Sequence, residues 1–194
     1  HHLLSHTSGI PDYFDVAYAA TRELARDGAT PEALVALFRD QPLRFEPGTQ
    51  RLWGHSAFIL AGQIIERVTG QPYGEFVEQR IMEPLGMTHS GYGNAPPGSA
   101  LGYVSAKGDT PVLSPLDPST LYASAGLYST AEDLFRWYEG LYNGQLLNET
   151  QLQKMLTAHA TFNSTMGSGY GIVVGETLGH RWAGNGGGRD GYQA

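Results

Sequence analysis

Apolar positions recur at helical spacing in several stretches of the chain and alternate or cluster at strand spacing in a few others. The clearest helix is predicted over 56–69. Ser56 stands at its start, Phe58, Ile59, Ile64, Ile65 and Val68 supply a wide apolar surface, and Gly70 ends it. A surface that wide predicts a buried helix. A helix over 16–27 ends before Gly28. Another follows Thr30 as N-cap with Pro31 at the first helical position, its stripe made by Leu34, Leu37 and Phe38. A fourth helix is expected over about 72–82, ending before Pro84.

Ser129-Thr130-Ala131-Glu132 reads as a capping box ahead of Leu134, Phe135, Tyr138, Leu141 and Tyr142. Asn148-Glu149-Thr150-Gln151 reads as a second, ahead of Leu152, Met155 and Leu156. Residues 1–15 are polar and turn-rich, and Phe45 to Thr49 make a turn. Residues 91–120, rich in Gly, Pro and Ser, predict a long excursion with short strands near 101–104 and 110–113. Two strands around a turn are predicted at 170–175 and 178–183. No internal repeat or linker interrupts the pattern.

With 194 residues, 41% hydrophobic and 16% charged, the composition is that of a globular domain with a sizeable core. The formal net charge of -7 disfavours a phosphate backbone as partner, so no nucleic acid is expected. The absence of cysteine removes disulfides, thiolate nucleophiles and cysteine-type zinc sites. The seven histidines show no His-Glu-x-x-His and no tight cluster, so neither a metal nor a cofactor is expected. No run approaches the ~18 apolar residues of a spanning helix, and no signal peptide is recognisable. The abrupt ends predict an internal fragment, which leaves the compartment open.

Six segments, in order, resemble the serine β-lactamase-like (penicillin-binding-protein-like) superfamily, which includes class C β-lactamases, D,D-peptidases, esterases and D-amino-acid amidases. They are Leu3 to Asp12 (LLSHTSGIPD), Phe45 to Thr49 (FEPGT), Ser56 to Gly70, Glu83 to Thr88 (EPLGMT), Ala125 to Leu134 (AGLYSTAEDL) and Gly184 to Tyr192. The resemblance implies an α/β (α+β) fold: an antiparallel sheet flanked by helices, with a mostly helical subdomain, incomplete in this chain. The helical part is expected over about 1–165 and a sheet hairpin over about 168–194. A sheet lacking strands leaves edges uncovered, so the chain on its own is expected to be marginally stable.

The family's chemistry uses a Ser-x-x-Lys nucleophile, a Tyr-x-Asn and a His-x-Gly or Lys-Thr-Gly strand, combined as nucleophile, proton shuttle and oxyanion hole. Neither Lys107 nor Lys154 follows a serine by three positions, and in the family that motif lies upstream of the segment at Leu3. The Tyr-x-Asn position reads Trp53-Gly54-His55. An indole N–H donates but cannot accept a proton, so Trp53 cannot replace a phenolate. The His-x-Gly position reads Asn185-Gly186-Gly187. No catalytic residue is therefore intact. Substrate binding is assigned by the resemblance to His55, Asn185, Gly187 and Gly188, with packing or turn roles as the alternatives.

Two other motifs are weaker. Gly54-His55-Ser56-Ala57-Phe58 lacks the last glycine and the preceding strand of a hydrolase elbow, and Gly186-x-Gly188-x-x-Gly191 lacks a following helix and acidic partner. His6 and Ser8 read as turn residues, and the aromatics around Trp137 as helix packing. Two function classes remain open. One is a hydrolase of an ester, amide, β-lactam or D-peptide. The other is a non-catalytic relative that binds a peptide or cell-wall-like ligand.

Overall fold

A computed structural model describes residues 1–105, 111–113, 117–189 and 191–193. The chain opens with a turn-rich segment and the helices α1 (Tyr13–Val16), α2 (Tyr18–Asp27) and α3 (Pro31–Ala36). The Thr30 hydroxyl accepts the Ala33 N–H at 3.2 Å, the cap expected from the sequence. Segment 5–12 is polar yet mostly buried: Ser5, His6, Thr7, Ser8 and Asp12 all lie inside. The loop 44–52 covers it, with Arg44 N–H donating to Gly9 O, Gly48 N–H to Thr7 O and Leu52 N–H to His6 O. These bonds are what allow a polar run to be buried.

Helix α4 (Ser56–Thr69) has the expected bounds, and Gly70 ends it at φ +71°. Ser56 is not its cap. His55 already has helical dihedrals and precedes the helix, and the Ser56 hydroxyl instead accepts the Tyr13 N–H at 2.9 Å. The helix is buried along one face only, through Ala57, Ile59 and Gly62, while Ile64 and Val68 are exposed. Ile59 joins Tyr13, Leu34, Phe38 and Tyr122 in the main core cluster.

The fourth predicted helix runs further than expected. After α5 (Tyr73–Val77) comes a π-helical turn over Glu78–Met82, then α6 (Glu83–Leu85). In the widened turn Glu83 N–H reaches back five residues to Glu78 O, and Met87 N–H does the same to Met82 O. Pro84, which has no N–H, can then sit within the helical path. Val77, Met82 and Met87 form a second cluster, against which Trp137 packs.

The excursion contains β1 (Gly91–Tyr92), β2 (Tyr103–Ser105), β3 (Pro111–Leu113), two 3₁₀ turns (Pro118–Thr120 and Tyr122–Ser124) and β4 (Leu127–Tyr128). Strands β2 and β3 pair antiparallel near the predicted positions, and β1 and β4, which were not predicted, also pair antiparallel. Thr110, the expected start of the second strand, and Lys107 lie outside the described residues.

Helix α7 (Ala131–Tyr142) is capped one residue later than expected, because it is the Thr130 hydroxyl that accepts Asp133 N–H. Helix α8 (Glu149–Met155) carries the predicted capping box, with both Asn148–Gln151 bonds formed. The sheet has four antiparallel strands instead of two: β5 (Ala160–Thr161), β6 (Met166–Ser168), β7 (Val173–Thr177) and β8 (His180–Gly184). A separate hairpin, β9 (Gly188–Arg189) with β10 (Tyr192–Gln193), closes the chain. Among the described residues no helix is long and apolar enough to cross a membrane.

A Cβ at Gly62 would stand 2.3 Å from Ala123 Cβ and 2.7 Å from Tyr122 Cε1. Alanine gains roughly 1 kcal/mol of helix propensity over glycine, whereas overpacking costs about 1–3 kcal/mol. Gly62→Ala is therefore expected to lower the urea midpoint. A raised midpoint would mean that α4 does not press on Tyr122 and Ala123.

Candidate active-site region

The site begins at Asp12. Its carboxylate is almost fully buried between two helix starts. Oδ1 accepts the Phe14 N–H at 2.8 Å and so caps α1. Oδ2 accepts the His55 backbone N–H at the start of α4, and also meets His55 Nδ1 at 3.0 Å. A Cβ on Gly54 would lie 2.8 Å from Oδ2, so this approach needs a residue without one. Burial pushes the Asp12 carboxyl up, but the hydrogen bonds from the His55 ring and backbone and from Phe14 outweigh it and hold the group below the ordinary carboxylate range. The ionised acid can only accept, so His55 Nδ1 carries the proton and donates it.

The His55 ring is held by aromatic edges: Trp53 at 4.7 Å, Phe14 at 4.8 Å and Tyr13 at 5.9 Å between centroids. Its Nε2 makes no hydrogen bond among the described residues. Trp53 is half exposed and also lies 6.0 Å from the His6 ring.

His6 is more than a turn residue. It is buried, adopts φ +58°, packs on Phe58 at 5.2 Å, and its Nδ1 has no partner among the described residues. Burial, then the nearby Arg51 and His55, lower its pKa to about 4. Arg51 spans from this region to the sheet, donating from Nε to Ser168 Oγ at 2.7 Å and lying over the Phe162 ring at 4.1 Å.

The other predicted residues lie beyond the end of β8. Asn185 Nδ2 comes within 3.5 Å of Gly171 O, and the Gly171 N–H donates to Leu4 O. Gly171 is also close to Phe58, on which His6 packs. Gly188 lines an open cavity of about 610 Å³ with Phe14, Tyr18 and Tyr192. Phe14 thus links His55 to Gly188, and Phe58 with Gly171 links His6 to Asn185. Trp53 and His55 touch directly. Gly187 is exposed, with open space where a Cβ would stand. A larger groove of about 800 Å³ lies over the sheet between Met166, Val174 and Trp182, and none of the predicted site residues lines it.

Asp12 and Arg51 carry no role that the sequence alone assigns. Asp12 was visible within the Leu3–Asp12 segment, but its partner lies 43 residues away. Only a contact could have paired them.

The family profile described as Beta-lactamase matches residues 1–194, the whole chain. The crystal structure of a penicillin binding protein from Bacillus halodurans is similar at 32% identity and a TM-score of 0.82, over 100% of this chain and 60% of that one. A D-stereospecific amidohydrolase from Streptomyces sp. superposes with a TM-score of 0.87 at 30% identity, over 99% of this chain and 61% of its own. Bacillus subtilis PbpX, named provisionally as a penicillin-binding protein, is 29% identical over 185 residues, or 92% of this chain and 43% of that protein. The chain spans less than half the length of the first curated relatives it matches, 43% and 47%.

Because the His6 ring binds its proton more weakly in the folded chain, stability from this residue is complete above the ordinary value of 6.5 and is lost as pH falls toward about 4. Asparagine tolerates the left-handed backbone and does not titrate there. Urea midpoints at about pH 7 and 4.5 are expected to differ in the parent chain and to converge in His6→Asn. An equal drop in both proteins would place the titration elsewhere.

Proposed function

The chain belongs to the β-lactamase family, and from that premise we propose that it is part of a serine hydrolase acting by acyl transfer on an ester, an amide, a β-lactam or a D-peptide. Its fold is the β-lactamase/transpeptidase-like arrangement of antiparallel sheet and helices, of which it covers a part. We read residues 1–194 as one partial domain, helical over about 1–165 with the sheet hairpin over about 168–194. The observation that carries the functional reading is the apposition of the two walls: His55 packs on Phe14, and Phe14 shares a cavity with Gly188.

In this reading His55, Asn185, Gly187 and Gly188 bind substrate. Asn185 supplies an amide donor from the end of the sheet, and the open backbone at Gly187 and Gly188 lets an acyl group approach closely. The similar Streptomyces protein is named a D-stereospecific amidohydrolase, which favours a small amide of a D-amino acid within the substrate class. The attacking serine belongs to a Ser-x-x-Lys that these 194 residues do not contain, so the chain alone is inactive.

A second reading is a non-catalytic relative that holds a peptide or cell-wall-like ligand. Trp53 favours it, since an indole stands where the family's phenol would relay a proton.

The two readings separate by labelling. The 194-residue chain is expected to take up neither a fluorescent penicillin nor a fluorophosphonate, while the whole protein takes up the probe on one serine upstream of His1. An adduct on Ser8 or Ser56 would overturn the assignment of the nucleophile. No adduct on the whole protein would leave the binding reading.

A further inference from the structure

We propose that His55, held by Asp12, is the proton-transfer group of this site, taking the part that Trp53 cannot play. The inference rests on the hydrolase reading above and adds a role for one residue and its positioning partner.

The geometry is that of an oriented imidazole. A buried carboxylate accepts from Nδ1 at 3.0 Å, which fixes the tautomer and leaves the Nε2 lone pair available. Trp53 and Phe14 hold the ring edgewise, so it has little freedom to turn away. The ring is largely covered, and its Nε2 makes no hydrogen bond among the described residues. Among the described residues the titratable groups around it are Asp12, Tyr13 and His6, the last beside Arg51. Phe14, whose ring meets the imidazole at 4.8 Å, also lines the open cavity with Gly188.

The chemistry balances without any further reactant. A hydroxyl, first a serine of the whole protein and then water, attacks the acyl carbon. Its O–H proton passes to His55 Nε2 as the new C–O bond forms. The imidazolium then gives that proton to the departing oxygen or nitrogen as the old bond breaks. Asp12 stays ionised throughout and stabilises the imidazolium.

Three measurements test this. In the 194-residue chain above about pH 8, where free imidazoles are neutral, ¹⁵N NMR is expected to show the His55 proton on Nδ1. Asp12→Asn should mix the two tautomers. A proton on Nε2 in the parent chain would overturn the proposal. In the whole protein with a nitrophenyl ester, His55→Asn keeps an amide of the family's type but cannot move a proton. It is expected to lower kcat by about 100-fold or more, with KM changed little and the acidic limb of the pH profile lost. Asp12→Asn should lower kcat about ten-fold or more through the same limb. Should Asp12→Asn fail to fold, His55→Asn decides alone. A His55→Asn protein at parental kcat would end the role of His55 while leaving the hydrolase reading intact. A whole protein that neither turns over the ester nor takes up fluorophosphonate would remove the hydrolase reading, and this role with it.

Discussion

One buried carboxylate sets the arrangement of the N-terminal half. Asp12 caps α1 through the Phe14 N–H, receives the His55 N–H at the start of α4, and binds the His55 ring. A buried carboxylate is costly unless its lone pairs are filled, and hydrogen bonds to a charged acceptor are worth roughly 1.5–3 kcal/mol each. The two helix starts supply donors and positive dipole ends together. The same constraint explains the neighbours. Gly54 has no side chain because Oδ2 occupies that space, and Ser56 turns its hydroxyl to the Tyr13 N–H, tying α4 back to α1.

A second acid does the same work at the start of α7. Asp133, the third residue of α7, has no exposed surface. It accepts the His89 N–H at 2.8 Å, the Ser90 hydroxyl at 2.9 Å and the Arg136 guanidinium. It thereby joins the turn after α6 to α7. Burial raises its carboxyl, but these bonds outweigh it and hold it below the ordinary range. In a chain without cysteine and with two modest apolar clusters, the loops are fastened by such acids and not by covalent links.

This fastening decides what could be read in advance. Local signals were legible: Thr30 and Asn148 cap their helices, and Gly70 ends α4. Signals that depend on a distant partner were not. Ser56 looks like a cap, yet its hydroxyl goes to the Tyr13 N–H, and it is the N–H of the preceding His55 that Asp12 accepts. Ser129 looks like a cap one residue too early because Thr130 is an equally good acceptor. The strands β5 and β6 escaped notice because they are two and three residues long, and one of them centres on Gly167. In the site, Trp53 and His55 were legible only through the family resemblance, while His6 passed for a turn residue because nothing local reveals that its ring is buried on Phe58.

The same logic bears on the departures at positions 53 and 55. A histidine placed where an amide is expected would, on a bare loop, be a solvated ring of either tautomer with no fixed direction. Here it meets a carboxylate that is already buried and ionised because two helix starts require it. Orienting the imidazole therefore needs no further burial of the carboxylate, and it fills a lone-pair direction that would otherwise need water. The structural charge and the chemical group are thus coupled in one direction. Asp12 could hold α1 and the His55 N–H of α4 without the imidazole, but the imidazole could not hold its tautomer without Asp12.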